Sequence, residues 1–297
     1  MLSAVTDLPT AIPRTFLSSS ALAALGLSRR QIHQCVVQGS LLRVRRDRYV
    51  PPDTPHGIFR SATLGGRLDC ISLLRLLGVF VLDDRRLHMQ VDVGASRLPR
   101  RPADVVCHWR VSRAAREDLH ADLTEALAQA CRCQDPRAAV ATLDSAWHLG
   151  LIGDDDLAEI FTRLPARYRS LRPLLDQRSE SGPETFMRLM LRMLGCTIEV
   201  QPRVPGVGRV DFIVDGWLII ECDSRAYHEG WEAQKRDRRR DLAAAELGYT
   251  TIRPIAEDIL YRRDQVFASV KAIIDSRRAA VAVRNSSSRR RRAASGG

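Results

Sequence analysis

The segment 209–223 constrains the fold of this chain more than any other part of its sequence. It consists of two apolar runs joined by Asp215-Gly216, and an Asp-Gly pair between apolar runs is a strong signal of a β-hairpin. Asp211 and Glu221 interrupt these runs, although strand interiors are poor in acidic residues. The segment therefore predicts a buried hairpin that carries carboxylates for a reason other than packing.

The length of the hairpin loop follows from how the side chains sort between the two faces of the sheet. A two-residue loop would place Asp211 on the opposite face from Glu221, whereas a three-residue loop shifts the register by one position. The longer loop gives one wholly apolar face, made of Val210, Phe212, Val214, Leu218, Ile220 and Cys222. The other face then holds Asp211, Glu221 and Asp223 beside Ile213 and Ile219. We therefore predict an odd-length, bulged turn and three carboxylates at one end of a sheet.

Carboxylates this close together repel one another unless a cation lies between them. Mg²⁺ or Mn²⁺ would supply that charge by binding protein carboxylates, waters and the phosphate oxygens of a substrate. Such an ion polarises a scissile phosphate and helps to generate hydroxide. The alternative is a solvated sheet face with scattered acids. The interruption of apolar strands by Asp211 and Glu221 favours the metal site.

Helices flank the predicted hairpin. Ser181-Gly-Pro-Glu184 opens an amphipathic helix that ends at Gly195, and residues 196–201 alternate like a strand. A basic helix at about 229–247 precedes a strand at 249–253 and a closing helix at 258–274.

One stripe of the basic helix carries residues spaced at i, i+4, i+7, i+11 and i+14, namely Trp231, Lys235, Arg238, Leu242 and Ala245. If Leu242 and Ala245 pack on the sheet, Lys235 and Arg238 point toward the carboxylates, where a phosphate needs a cation. The alternative is a solvated basic helix.

The order helix, hairpin with Asp211 and Glu221-x-Asp223, helix, strand, helix resembles the PD-(D/E)xK nuclease superfamily, and more narrowly the group related to very-short-patch-repair endonucleases. The resemblance covers residues 181–260. It implies that Asp211 and Glu221 bind the metal and that Glu184 supports it through water. It also implies that Asp223 and His228 assist proton transfer or orient the attacking water.

This sequence departs from the superfamily pattern at one position. Asp223 stands where the signature has a lysine, so the water-activating role would pass to His228, Lys235 or the metal. Ser181-x-x-Glu184 is also a capping box, which gives Glu184 a purely structural explanation. An inactive nuclease fold is therefore the alternative.

Near the N-terminus, the sequence predicts two short helices and a hairpin. Leu22 and Leu25 form a helical stripe that stops at Gly26, and Ser28-Arg29-Arg30-Gln31 is a capping box for the second helix, whose apolar positions include Ile32, Val36 and Val37. Residues 41–50 alternate apolar and basic side chains around Arg46-Asp47, as a short exposed hairpin does.

Helix, glycine-containing turn, helix and basic hairpin is the order typical of a winged helix-turn-helix. The side chains expected to contact DNA are Arg29, Arg30, His33, Gln34, Arg43 and Arg45, together with Arg238 of the distant basic helix. The alternative is a helical subdomain with solvated arginines. Residues 16–50 resemble the N-terminal winged-helix domain of AbiEi-type antitoxins.

The overall composition points to a polyanionic partner. Lys and Arg number 46 against 35 Asp and Glu, a formal net charge of +11, and DNA is the partner that this balance favours. No apolar run approaches the ~18 residues of a membrane span, and the first residues lack the pattern of a secretory signal. We therefore expect a cytoplasmic protein that does not enter a membrane.

The middle of the chain carries no recognisable catalytic motif. Seven cysteines without a C-x-x-C pair predict reduced, mostly buried thiols rather than a zinc site, and His108, His120 and His148 each look isolated. The patterns there predict one helix over 61–77, strands at 79–82 and 88–93, and helices at 119–131, 136–149 and 154–164.

Together these patterns predict an α/β multidomain protein. Its parts are a winged helix-turn-helix at 1–56, an α+β connector or regulatory domain at 57–178, a restriction-endonuclease-like α-β core at 179–280 and a disordered basic tail at 281–297. A protein partner could bind the middle domain. We expect the protein to be a metal-dependent DNA endonuclease, an enzyme that hydrolyses phosphodiester bonds. The alternative is a DNA-binding transcriptional regulator or antitoxin with a catalytically silent nuclease fold.

Overall fold

The structure, a computed structural model, describes residues 12–223 and 231–294, and the side chains of these residues except at 232, 233 and 283–294. It is a mixed α/β protein with two compact units, of which the first ends at Gln177 and the second begins at Arg178. The first unit covers the predicted domain 1–56 and all of the predicted domain 57–178 except Arg178, and the predicted endonuclease core lies in the second unit. Among the described residues, no helix has an apolar stretch long enough to cross a membrane.

The first unit begins with two helices and a hairpin, α1 (Ser19–Ala24), α2 (Arg29–Val37), β1 (Leu42–Arg45) and β2 (Arg48–Val50). The predicted capping box of α2 is confirmed, because Ser28 Oγ accepts from the backbone N–H of Gln31 and Gln31 Oε1 accepts from that of Ser28. Leu22, Ile32 and Tyr49 form a small core between the helices and the hairpin. Leu25 and Val37 were predicted to be part of the apolar stripes, but both are exposed.

The rest of the first unit contains α3 (His56–Thr63), β3 (Arg67–Leu68), α4 (Cys70–Leu76), β4 (Leu87–Val91), β5 (Val105–Trp109), α5 (Leu123–Cys133), α6 (Pro136–His148), α7 (Asp154–Arg163) and a 3₁₀ helix (Ala166–Leu174). The sheet order is β3-β4-β5, with β3 antiparallel and β5 parallel to β4.

The single helix predicted over 61–77 is wrong, because two glycines divide it. Gly65 has a φ of +85°, which ends α3, and β3 then pairs with β4. A Cβ on Gly66 would lie 2.7 Å from the carbonyl oxygen of Gln90, so this strand pairing requires glycine. The predicted strand at 79–82 is also absent, whereas α5, α6 and α7 match their predicted positions within a few residues.

The second unit contains α8 (Gly182–Met193), β6 (Ile198–Val200), β7 (Arg203–Val204), β8 (Gly208–Arg209), β9 (Phe212–Val214), β10 (Leu218–Ile220), α9 (Trp231–Glu246), β11 (Thr250–Ile252), α10 (Ala256–Tyr261) and α11 (Arg263–Ala294). Its main sheet has the order β11-β10-β9-β6. β10 and β11 are parallel, so the chain between them, which includes α9, crosses over the sheet.

The predicted three-residue loop of the hairpin is confirmed. Leu218 pairs with Val214 and Ile220 pairs with Phe212, so the loop is Asp215-Gly216-Trp217. Asp215 and Gly216 both have positive φ angles, 49° and 72°. Gly and Asp tolerate this left-handed conformation better than most other residues do. The sorting of side chains between two faces was therefore sufficient to fix the register.

The predicted first strand of the hairpin is not continuous. Val210 and Asp211 separate β8, which pairs with β7, from β9, which pairs with β10. The alternation predicted that Val210 lies on the same face as Phe212. As a consequence of the break, Val210 instead packs with Ile213 and Ile219. The break leaves Asp211 at the entrance to β9 and outside regular strand pairing.

The last helix extends into the segment that composition predicts to be disordered. α11 reaches Ala294, and its buried residues Val266, Val270 and Ile274 lie in its first half. Alanine and arginine are strong helix formers, which allows the helix to continue past its packed part.

Candidate active site and nucleic-acid interface

A glutamine bridges two of the predicted site carboxylates. Nε2 of Gln201 donates to Oε2 of Glu184 at 2.9 Å and to Oδ1 of Asp211 at 3.3 Å. Glu184 lies in the first turn of α8, and Gln201 follows β6 with a positive φ of 54°. The other oxygen of Asp211 accepts from the backbone N–H of Cys222 at 2.7 Å, which joins Asp211 to the end of β10. The fold thus brings residues from three separate elements to one place.

Glu221 follows β10 and lies in the field of Asp211, but it already has a cation. Its Oε1 accepts from Nη2 of Arg240 at 3.0 Å and lies 3.9 Å from Nη2 of Arg253. Arg240 also donates to the backbone carbonyls of Val207 and Arg209. The guanidinium of Arg240 is therefore fixed by three acceptors beside the acidic cluster.

The pKa values of Glu184, Asp211 and Glu221 are all raised, and burial is the largest cause in each. The charge of Asp211 raises the pKa of Glu184 and that of Glu221 further. Hydrogen bonds from Cys222 and Gln201 oppose the shift at Asp211, and Arg240 and Arg253 oppose it at Glu221. Three desolvated acids with raised pKa values form a site at which one more cation would be stabilising.

The predicted orientation of the basic helix α9 is wrong. Leu242, predicted to pack on the sheet, is 62% exposed, whereas Ala244 is 1% exposed and packs against Ile213 and Ile219. The face of α9 that meets the sheet carries Ala244 and Arg240, because a small side chain permits close approach and the arginine reaches buried acceptors. Sequence reasoning had chosen the opposite stripe.

Lys235 and Arg238 lie on the Trp231 side of α9 as a result. Nζ of Lys235 is 5.9 Å and Cζ of Arg238 is 5.3 Å from the centre of the exposed Trp231 ring. The prediction that these two cations point toward the carboxylates is therefore wrong, and Arg240 occupies the place predicted for them. Arg238 stays on an exposed surface, as a residue that contacts nucleic acid requires.

The remaining predicted catalytic residues are not joined to the cluster by any described contact. The side chain of Asp223 is exposed, and its backbone pairs with that of Ile255. His228 lies outside the described residues. The structure therefore brings together Glu184, Asp211 and Glu221, and adds Gln201 and Arg240.

Sequence reasoning missed Gln201 and Arg240 for different reasons. In the β6–β9 register Ile198 pairs with Val214 and Val200 with Phe212, so Gln201 comes opposite Asp211, but this strand pairing is not visible in a local pattern. Arg240 was one of several arginines in a charged run. Its distance of four residues from Ala244 is the signal that would have placed it on the buried face.

The predicted DNA-contacting residues of the first unit lie on α2 and on β1 of the hairpin. The side chains of Arg29, Arg30, His33, Gln34 and Arg43 are exposed, and that of Arg45 is half-buried. Arg29, His33 and Arg43 line one cavity of about 220 Å³, which joins α2 to the hairpin. Arg45 lines a second cavity, of about 530 Å³, with Arg46, Arg48, Arg67 and Arg116. Basic side chains of helix and hairpin thus lie close enough to contact one polyanion.

Comparison with known proteins finds relatives without a described function. No family model matches the chain. Two uncharacterized proteins of Mycobacterium tuberculosis, MT2308 of strain CDC 1551 / Oshkosh and Rv2248 of strain ATCC 25618 / H37Rv, are each 26% identical over 274 residues. The match covers 86% of this chain and 100% of each relative. The similarity therefore extends over both units, and it carries no activity to this chain.

Proposed function

We propose that this protein is a metal-dependent DNA endonuclease, with the acidic cluster of the second unit as its active site and the basic surface of α2 and the hairpin β1–β2 as a DNA-binding site. The observation that carries the proposal is the convergence of Glu184 and Asp211 on Gln201, beside Glu221, with burial raising the pKa of all three acids. Buried acids of this kind fit a divalent cation, because a cation offsets their desolvation.

Asp211 and Glu221 would hold Mg²⁺ or Mn²⁺, and Glu184 would support it through water. A bound ion would supply polarisation of the phosphate and a water of lowered pKa. The protein's own side chains have separate tasks. Gln201 fixes the carboxylates of Glu184 and Asp211 relative to each other, and Arg240 fixes that of Glu221. Asp223 and His228 would assist proton transfer or orient the attacking water.

The proposal is tested by nicking of supercoiled plasmid with Mg²⁺ or Mn²⁺. We expect wild-type protein to nick the plasmid only with metal, and Asp211→Asn and Glu221→Gln to lose the activity by at least about a hundredfold. Glu199→Gln is the matched control, since Glu199 is an exposed acid on β6 of the same unit. Equal nicking by Asp211→Asn and wild type would refute the assignment of the site.

A second function has observations in its favour. Arg240 already neutralises Glu221, Glu184 accepts from Ser181 Oγ as a helix cap, and Asp223 replaces the signature lysine. These contacts are compatible with a DNA-binding regulator or antitoxin whose nuclease fold is silent. That protein would bind DNA without metal through Arg29, Arg30 and Arg45 and would nick no nucleic acid, so binding and nicking assays on one preparation separate the two functions.

A further inference from the structure

Four potential metal ligands come together in the first unit. They are Cys70, His88, His108 and Cys133, and one ligand atom of each lies within 4.8 Å of all the others. Nδ1 of His88 is 3.1 Å from Nε2 of His108, which is 3.8 Å from Sγ of Cys133. Zn–N bonds of ~2.0–2.1 Å and Zn–S bonds of ~2.3 Å separate the ligands of a tetrahedral zinc by about 3.3–3.8 Å. The cluster is thus close to the size of a zinc tetrahedron.

Each ligand comes from a different element. Cys70 begins α4, His88 lies on β4, His108 on β5, and Cys133 ends α5. His108 pairs with Gln90 across the parallel β4–β5 ladder, so the two histidines lie on the same face of neighbouring strands. The prediction that His108 is isolated is therefore wrong. The intervals between the ligands are 18, 20 and 25 residues (88 − 70, 108 − 88 and 133 − 108), and no short zinc motif contains them.

The surroundings of the cluster favour a cation at its centre. Cys70 and His88 are buried, and buried polar groups need partners. Nδ1 of His88 and Nε2 of His108 face each other at 3.1 Å. Without a metal, one of these nitrogens must carry a proton and donate it to the lone pair of the other. A cation between them would let both nitrogens use their lone pairs. Cys70 also has a φ of 53°, a left-handed conformation that is strained for a non-glycine residue and recurs at ligand sites.

We propose that Cys70, His88, His108 and Cys133 bind one Zn²⁺ in a structural site. Two sulfur and two imidazole donors match the preference of zinc, whereas Mg²⁺ and Mn²⁺ prefer oxygen. Four protein ligands fill the tetrahedral coordination and leave no position for a substrate, so the ion has a structural task. It joins α4, β4, β5 and α5 of the first unit. The proposal is independent of the function proposed for the acidic cluster.

The test is metal analysis of the full-length protein, purified under reducing conditions without chelator. We expect one zinc per chain, and after chelation we expect Co²⁺ to give the visible bands of a tetrahedral site with thiolate-to-cobalt charge transfer. Cys133→Ser and His108→Asn should weaken Zn²⁺ binding by more than about tenfold. Cys131→Ala and Cys107→Ala are matched controls on the same two elements, and they should bind zinc like the wild type.

Three results would overturn the proposal. The first is reduced wild-type protein that contains no zinc and takes up neither Zn²⁺ nor Co²⁺. The second is equal zinc content in wild type, Cys133→Ser and His108→Asn. The third is a Cys70–Cys133 disulfide in protein that binds no zinc after reduction. Cys133 is exposed at the end of α5, so its serine variant should fold. If both ligand variants lose their circular dichroism, the Co²⁺ titration of the wild type decides.

Discussion

Arg240 fixes the carboxylate of Glu221, one of the three acids of the acidic cluster. It is the donor to three acceptors, which are Glu221 and the backbone carbonyls of Val207 and Arg209. Removing the guanidinium takes this donor away from all three acceptors and leaves Glu221 with Arg253, whose Nη2 lies 3.9 Å from Oε1. We expect Arg240→Gln to lower the free energy of unfolding by about 1–3 kcal/mol, measured by urea denaturation.

Arg239→Gln is the control for this substitution. Arg239 is its neighbour on α9 and its side chain is exposed, so the same change should stay within about 0.5 kcal/mol of the wild type. Equal stability of the two variants would mean that the contacts of Arg240 contribute nothing to the fold.

The contacts of Glu125 make the stability of the first unit depend on pH. This buried acid on α5 accepts from Ser112 Oγ, from Arg110 and from the backbone N–H of Arg113. Burial alone would raise the pKa of Glu125, but these hydrogen bonds outweigh burial and hold the pKa below its ordinary value of 4.5. An acid with a lowered pKa stabilises the fold above the unfolded pKa, and this stabilisation is lost as the pH falls through the folded pKa.

We therefore expect the stability advantage of the wild type over Glu125→Gln to be full at pH 7, at about 1–3 kcal/mol, and to shrink as the pH falls below 4.5. Urea denaturation at several pH values measures this difference. Glu117→Gln, at an exposed acid of the same unit, should show no such trend. A difference that stays constant between pH 7 and pH 3 would contradict the lowered pKa.

At the scale of elements, the DNA binding that we propose for α2 and the hairpin would depend on charge. Arg29 is exposed and shares a cavity with His33 and Arg43. If it contacts a phosphate, Arg29→Gln should weaken binding to all DNA sequences alike and reduce the slope of log K against log salt by about 1. Fluorescence anisotropy over a salt series measures both quantities.

The control removes the same charge elsewhere in the first unit. Arg100 is exposed outside α2 and the hairpin, so Arg100→Gln should leave the salt slope unchanged. Equal loss of affinity in both variants would show that net charge, and not this surface, attracts the DNA. A change confined to certain DNA sequences would instead assign Arg29 to base contacts.

The elements that sequence predicts correctly are those whose pattern is local. The capping box at Ser28 and the three-residue loop at Asp215 depend on neighbouring residues, and both are confirmed. The helix predicted over 61–77 failed because Gly66 is needed for a close strand contact with Gln90, which sequence does not display. The face of α9 was misjudged because Leu242 is more hydrophobic than Ala244, yet Ala244 is the residue that packs against Ile213 and Ile219 of the sheet.

At the scale of the whole molecule, the residues that sequence could not group are those joined by strand pairing. The β6–β9 register brings Gln201 to Asp211, and the β4–β5 register brings His88 to His108. Neither interval repeats a known ligand spacing, so composition and motif give no signal. The sequence did reveal Asp211 and Glu221, because acids inside apolar strands violate a local preference.

The division into two units leads to the last prediction. Each unit has its own buried core and two tryptophans, Trp109 and Trp147 in the first and Trp217 and Trp231 in the second. Because a zinc site would stabilise only the unit that contains it, a strong chelator added in buffer without Mg²⁺ or Mn²⁺, so that the acidic cluster holds no ion from the start, should lower the thermal midpoint of the first unit alone. The double variants Trp109→Phe with Trp147→Phe, and Trp217→Phe with Trp231→Phe, report on one unit each by fluorescence. We expect a chelator-dependent midpoint only where Trp109 and Trp147 remain, and an equal shift in both variants would show that the two units unfold together.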